Sequence, residues 1–160
     1  GTEVGVHAFH PFISQRSLVQ SSEMSEKRKT RWESIIREAA EQSGRSRLPT
    51  LHKPESLSSA IKIASGLLDN VLAARVGEGN RILKDALTDT RHLVKRLESV
   101  PSLGLFVGPE GGFSETEIKA LKKTGAETVS LGAHIFRLET AAIIFSALVM
   151  YELSDLQRSE

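Results

Sequence analysis

The sequence predicts an α/β protein built on a parallel sheet, and three features near its C-terminal end indicate this. Two short apolar runs, residues 103–107 and 128–131, each lead into a glycine-bearing turn that is followed by a helical pattern. Ser114 with Glu117 three residues later forms a capping box, which marks the start of the helix between the two runs. Successive strand–loop–helix units are typical of parallel sheets, whose ligands bind at the carboxyl ends of the strands. We therefore expect both loops to line a binding site.

Composition restricts the possible classes of protein. At 160 residues the chain is long enough for one domain with its own core. A hydrophobic fraction of 39% and a net charge of +1 are typical of a globular protein, and any basic surface must be local. No apolar run is long enough to span a bilayer and no signal-peptide pattern opens the chain, so we expect a cytoplasmic protein that does not enter membranes. Because the chain has no cysteine, disulfides, thiolate zinc sites and cysteine nucleophiles are excluded.

The N-terminal third predicts short strands around one long helix. Residues 8–13 read as a strand that Pro11 interrupts, which places it near a sheet edge or a strand end. Apolar residues at three- and four-residue spacing from Glu26 onward predict a helix that ends near Gly44. The basic residues at its start are more simply a solvated face than a phosphate site. Residues 49–52 are a plausible short strand.

The middle of the chain predicts a helix, a strand and a second helix. Ser56 or Ser58 begins a modest helix that runs to about Gly66. Residues 69–75 are predicted to be a buried strand, and residues 82–97 an amphipathic helix. The apolar residues predicted to face inward from that helix are Leu83, Leu87, Val94 and Leu97.

The first glycine-bearing loop, residues 108–112, indicates binding by backbone groups. Three glycines within five residues let a ligand approach the main chain closely, and Pro109 makes the loop partly rigid. It is not a P-loop and has no dinucleotide fingerprint. The alternative is a tight structural connection with no ligand. If the loop binds a ligand, Gly111→Val should exclude it, because a β-branched side chain fills the space and demands an unfavourable φ.

The histidines do not indicate a metal site. His7 and His10 lie close together in the sequence, but no residue with matching ligand spacing accompanies them. Surface or strand-end histidines are the better interpretation, so no metal is expected.

The two loop motifs, GPEGGFSETEI at residues 108–118 and LGAHIFRLETA at residues 131–141, resemble those of the ribosomal small-subunit RNA methyltransferase E family. The family belongs to the SPOUT class of methyltransferases. Phe136 stands where leucine is usual and Leu138 where threonine is common. Three earlier stretches also fit the family, namely residues 2–6, 14–17 and 38–45. The resemblance spans essentially the whole sequence.

The resemblance implies a fold and a cofactor. The fold is a SPOUT-type parallel sheet flanked by helices, with a C-terminal deep trefoil knot that forms a homodimer interface. Residues 1–160 would be one such methyltransferase domain, truncated at its N-terminus and lacking an upstream PUA-like RNA-binding domain. The cofactor is S-adenosyl-L-methionine (SAM). The residues implied to bind it are Val107, Gly108, Pro109, Glu110, Gly111, Gly112, Leu131, Gly132, Ile135, Phe136, Arg137, Glu139, Thr140 and Ala141.

The resemblance also implies a reaction and a partner. The substrate is N3 of a uridine in 16S rRNA of the small ribosomal subunit. Arg137 is the expected catalytic residue, stabilising negative charge on the base carbonyls, although an ion pair with Glu139 or Glu110 is an alternative. The residues implied to contact RNA are Arg16, Arg31, Gln42 and Arg45. Two other functions stay open: a SPOUT methyltransferase acting on another RNA nucleotide, and a non-catalytic RNA-binding or assembly module.

Overall fold

Strands and helices alternate along most of the chain. The structure is a computed structural model that describes residues 1–75, 81–97 and 102–154, with the backbone alone for 91–97 and 153–154. In chain order the elements are β1 (Ala8–Phe9), β2 (Phe12–Ile13), α1 (Glu26–Gln42), β3 (Thr50–Leu51), β4 (Glu55–Ser56), α2 (Leu57–Leu67), β5 (Asn70–Ala74), β6 (Arg81–Ile82), α3 (Leu83–Leu97), β7 (Leu103–Val107), α4 (Glu115–Lys123), β8 (Glu127–Ser130) and α5 (Leu138–Ser154).

The central sheet has four parallel strands in the order β6-β8-β5-β7. The strand predicted at residues 103–107 is confirmed, and those predicted at 69–75 and 128–131 are confirmed within one residue at each end. Leu72, Ala73 and Val129 are fully buried because helices cover both faces of the sheet. The predicted α/β class with a parallel sheet is therefore confirmed.

Two apolar cores lie on the two faces of this sheet. On one face α2 and α4 pack together, with Leu121 fully buried between α4 and the sheet. On the other face α3 and α5 pack together around Phe145, which is also fully buried. Leu83 and Leu87 face inward as predicted, whereas the side chains of Val94 and Leu97 lie outside the described residues.

The N-terminal region, residues 1–56, has only two-residue strands. β1 pairs with β3 and β2 pairs with β4, both in parallel. Pro11 separates the two pairs, as expected for a residue that cannot donate a backbone hydrogen bond. The predicted interruption and the short strand within residues 49–52 are confirmed, and β4 was not predicted.

Helix ends follow the sequence signals. α1 ends at Gln42, and Gly44 beyond it has a φ of +69°, which glycine adopts without strain. Of the two candidate serines, Ser56 caps α2. Ser114 and Glu117 form the predicted capping box at the start of α4. Within the described ranges, no helix has both the length and the apolar character that crossing a bilayer requires.

Candidate functional site

A cleft of about 380 Å³ opens at the carboxyl ends of β5, β7 and β8. This is within the size range of small-molecule sites, and it lies where open parallel sheets bind their ligands. Most of the residues predicted to bind a cofactor line it: Val107, Gly108, Pro109, Glu110, Gly111, Gly112, Leu131, Gly132, Ile135, Phe136 and Ala141. The structure thus brings the two glycine-bearing loops together.

The glycines of the first loop have different roles. Gly112 has a φ of +65°, and nothing lies within 4 Å of where its Cβ would be, so a side chain there would be strained and would enter open space. A Cβ at Gly108 would lie 3.2 Å from the Phe113 ring. A Cβ at Gly111 would lie 3.2 Å from Cδ of Arg16. The unfavourable φ expected at Gly111 is therefore wrong: it occurs at Gly112, and Gly111 is instead needed for the close approach of Arg16.

The second loop supplies an apolar wall. Gly132 has a φ of +127° and donates its N–H to Ser130 Oγ at 3.2 Å, which turns the chain directly after β8. Leu131, Ile135 and Phe136 follow along the cleft, and Ile135 is 77% exposed. An exposed apolar side chain at the edge of a cleft provides a packing surface that suits a flat heteroaromatic ring.

The loop after β2, residues 14–17, is fastened to the first glycine loop by side chains. Arg16 donates from Nη1 to the Gly111 carbonyl at 2.6 Å. The Glu117 carboxylate accepts from the backbone N–H of Gln15 and of Ser114, both at 2.8 Å. Glu117 is only 8% exposed. It therefore serves two purposes, because its capping bond fixes α4 and its second oxygen holds the N-terminal loop.

An ion pair at the mouth of the cleft was not predicted. Arg75, directly after β5, forms an ion pair with Glu115, the first residue of α4, and both line the cleft. The strand predicted at residues 69–75 ends on Arg75, so the rule that ligands bind at strand ends could have identified it. The other lining residues absent from the prediction are Ala74, Phe113, His134 and Leu138, together with Arg16, which was predicted to contact RNA.

Three of the residues predicted to bind cofactor lie outside this lining. Arg137, Glu139 and Thr140 are exposed around the start of α5. Arg137 accepts at its carbonyl from the Ala141 N–H at 2.8 Å, so it immediately precedes the helix. Thr140 lies within the first turn of α5. Within the described part of the chain Arg137 has no ion pair, so the alternative pairing with Glu139 or Glu110 is not observed.

The residues predicted to contact RNA do not form one cluster. Arg31 and Gln42 are exposed on α1, and eleven residues of helix separate them by about 16 Å along its axis. Arg45 donates from Nη1 to the carbonyls of Thr2 and Val6, at 2.8 Å in both cases. Arg45 therefore holds the N-terminal turn in place, a structural role that the sequence did not indicate.

Among the described residues, no group of three His, Cys, Asp or Glu side chains could hold a metal ion. His10 follows β1 and stacks on His52, which follows β3, with ring centroids 3.6 Å apart. Partial burial and then the facing His52 lower the pKa of His10, while Glu55 opposes this effect.

Comparison with known families identifies the class of protein. The model of the RNA methyltransferase domain family matches residues 1–150, and the chain therefore belongs to that family. Ribosomal RNA small subunit methyltransferase E from Bacillus subtilis is 32% identical over 153 residues, covering 95% of this chain and 58% of the relative. The protein of the same name from Aquifex aeolicus is 32% identical over 149 residues, covering 93% and 58%. The resemblance in the two loop motifs is thus confirmed over a chain that spans somewhat more than half the length of these relatives.

Solved structures show the same fold. A putative methyltransferase from Legionella pneumophila, in complex with bound SAM, has a TM-score of 0.78 at 28% identity, covering 94% of this chain and 57% of its own. A ribosomal RNA small subunit methyltransferase E from Neisseria gonorrhoeae, bound to S-adenosyl methionine, has a TM-score of 0.72 at 29% identity, covering 97% and 57%.

Proposed function

We propose that this chain is the catalytic domain of a SAM-dependent methyltransferase that modifies N3 of a uridine in 16S rRNA of the small ribosomal subunit. The observation that carries the proposal is the cleft between the two glycine-bearing loops, at the carboxyl ends of β7 and β8. Both motifs that resemble those of the E family lie on this cleft. Two related methyltransferases with this fold are bound to SAM.

The residues of the cleft fit an adenosyl cofactor. The space where a Cβ of Gly112 or Gly132 would lie is open, so a ligand can approach the main chain of both loops closely. Leu131, Ile135 and Phe136 supply the apolar surface for the adenine ring. When bound, SAM supplies a methyl group on a positively charged sulfur.

The reaction requires the protein to position the reacting groups and to stabilise the charge that develops. The uridine N3 is protonated at neutral pH, so the site must favour loss of that proton before N3 attacks. We assign Arg137 to the negative charge that then develops on the base carbonyls, a task suited to a permanently charged, bidentate donor. Arg137 stands between Phe136 and Leu138, which both line the cleft, so RNA that covers the cleft would meet its exposed side chain.

RNA recognition is proposed for the N-terminal region. Arg16 lies on the cleft, and Arg31 and Gln42 are exposed on α1. Arg45 would act mainly by fixing the turn at residues 1–6, because the Thr2 and Val6 carbonyls already occupy its Nη1. A net charge of +1 provides little general attraction to phosphates. We therefore propose that an upstream RNA-binding domain supplies most of the affinity for RNA.

A trefoil knot and a homodimer complete the proposal. β8 lies between β5 and β6, although both precede it in the chain, and α5 packs beside α3. The last strand and the last helix thus lie among elements that precede them in the chain, and this supports a C-terminal segment that passes through an earlier loop. Ile143 and Leu148 of α5 are 51% and 42% exposed, and such apolar surface supports an interface between two copies. The expected location is the cytoplasm, where ribosomes are modified.

The direct test is to map the methylated nucleotide. Small ribosomal subunits that lack the modification are incubated with the protein and SAM, and the 16S rRNA is read by reverse transcription, which stops at N3-methyluridine because its pairing edge is blocked. One stop at a uridine, lost in Arg137→Met, is expected. A modified nucleotide other than uridine, or in another RNA, would contradict the proposed substrate. Binding of small subunits by the protein without methyl transfer would instead indicate a non-catalytic assembly module.

A further inference from the structure

An ion pair at the mouth of the cleft joins two elements that both contact the proposed cofactor site. Arg75 follows β5, and its backbone N–H donates to the Val129 carbonyl at 2.9 Å, so the base of this side chain is fixed to the sheet. Its partner Glu115 opens α4, directly beyond the first glycine loop. The two side chains are 30% and 72% exposed. The arginine is thus anchored and partly covered, whereas the carboxylate is largely in solvent.

This pairing is easily exchanged for another carboxylate. Ion pairs in contact with solvent contribute little to stability, because water and salt screen them and ordering two long side chains opposes them. A guanidinium group presents parallel N–H donors that match the two oxygens of any carboxylate. A ligand carboxylate that enters the cleft can therefore take the place of Glu115 without leaving Arg75 unpaired.

Arg75 is also the best placed cation for this task among the described residues that line the cleft. Arg16 donates from Nη1 to the Gly111 carbonyl at 2.6 Å and so holds the loop. His134 lacks the parallel N–H donors with which a guanidinium group pairs with a carboxylate. Arg75 alone of these three has a flexible, exposed side chain as its partner.

We propose that Arg75 binds the carboxylate of the methionyl group of SAM and that Glu115 is the group displaced when SAM enters. The inference rests on the proposed function and specifies one contact within that same site. It assigns the two residues opposite effects: Arg75 contributes to affinity, whereas Glu115 competes with the ligand.

The test uses a ligand pair that differs by the carboxylate alone. SAM and decarboxylated SAM are titrated by calorimetry into the unaltered protein, Arg75→Met, Glu115→Gln and Arg37→Met. Arg37 is exposed on α1 and provides the matched control for the loss of one arginine. We expect Arg75→Met to weaken SAM binding about ten-fold, which is the loss expected for one charge-assisted hydrogen bond that is partly solvated. The same change should alter the affinity for decarboxylated SAM by no more than about two-fold. Arg37→Met should leave the affinity for both ligands unchanged. Glu115→Gln should bind SAM at least as tightly as the unaltered protein.

The outcomes separate this inference from the function on which it rests. If neither ligand binds the unaltered protein, the proposed function is overturned. If both bind, equal weakening by Arg75→Met, or no weakening, overturns the role of Arg75 alone. Loss of SAM affinity in Glu115→Gln would contradict displacement. Weaker binding of RNA by Arg75→Met, with SAM affinity unchanged, would assign Arg75 to a phosphate and overturn the inference.

Discussion

The sheet region and the N-terminal region form the proposed site together, but they are held in place differently. In the sheet region, residues 57–75, 81–97 and 102–154, continuous main-chain ladders and two apolar cores position the glycine loops. In the N-terminal region, the paired strands are two residues long. Its loop at residues 14–17 donates two hydrogen bonds to the sheet region, from the Gln15 N–H to Glu117 and from Arg16 to the Gly111 carbonyl. One wall of the cleft is therefore built on continuous strand ladders, whereas the other is held by a few polar contacts and by Phe12, which packs against Phe106 and Phe113.

The largest expected effect comes from removing the buried carboxylate that joins the two regions, that of Glu117. Glu117→Ala leaves the N–H groups of Gln15 and Ser114 without their acceptor, which should cost about 2–4 kcal/mol of unfolding free energy. Urea denaturation measures the cost, with the exposed Glu41→Ala as a control expected to stay within about 0.5 kcal/mol. Amide exchange should show faster exchange at Gln15 while β5 stays protected. Equal acceleration in both places would show that the two regions unfold as one unit.

Alanine variants of two glycines distinguish the cost of backbone strain from the loss of ligand binding. Gly112 and Gly44 have φ angles of +65° and +69°, and neither would place a Cβ within 4 Å of another atom. Alanine at either position should therefore cost a similar amount, about 1 kcal/mol. Because Gly112 lines the cleft and Gly44 does not, only Gly112→Ala should weaken the binding of SAM, by about ten-fold or more. Equal affinities for SAM in the two variants would show that the glycine loop is a structural connection without a ligand.

The smallest expected effect concerns pH in the N-terminal region. The pKa of His10 is lowered from 6.5, so the unfolded chain binds this proton more readily than the folded one. The contribution of neutral His10 to the free energy of unfolding is thus fully present above about pH 6.5 and declines as the pH falls below that value. His10→Phe keeps a ring against His52 but cannot titrate, and should reduce the decline. An unchanged acid-side decline in His10→Phe would contradict this assignment.

The two regions also differ in how well the sequence predicted them. Signals within about ten residues were sufficient for β7, the capping box of Ser114 and Glu117, and the positions of both glycine loops. The contact between Gln15 and Glu117 joins residues 102 positions apart, and that between Arg16 and Gly111 spans 95. No local pattern encodes such pairs, because they depend on which strand ends meet in space.

Charged residues of the site were missed for the same reason. Arg75 stands at the end of a predicted strand, but only the neighbouring positions of β5 and α4 in space pair it with Glu115 at the cleft. Two-residue strands such as β4 are too short for periodicity to reveal. Arg45 was predicted from the resemblance as an RNA contact, and its hydrogen bonds to Thr2 and Val6 depend on the folded N-terminal turn.

The central claim is that the two glycine loops form a SAM site, and titration followed by nuclear magnetic resonance tests it most directly. SAM is added to ¹⁵N-labelled protein in the presence of a chelator, because no metal is expected to take part. The account predicts saturable shifts of the amides of Gly108, Gly111, Gly112 and Gly132, with small changes at Gly44 and Gly66. Shifts confined to residues away from the cleft, or none at millimolar SAM, would contradict it.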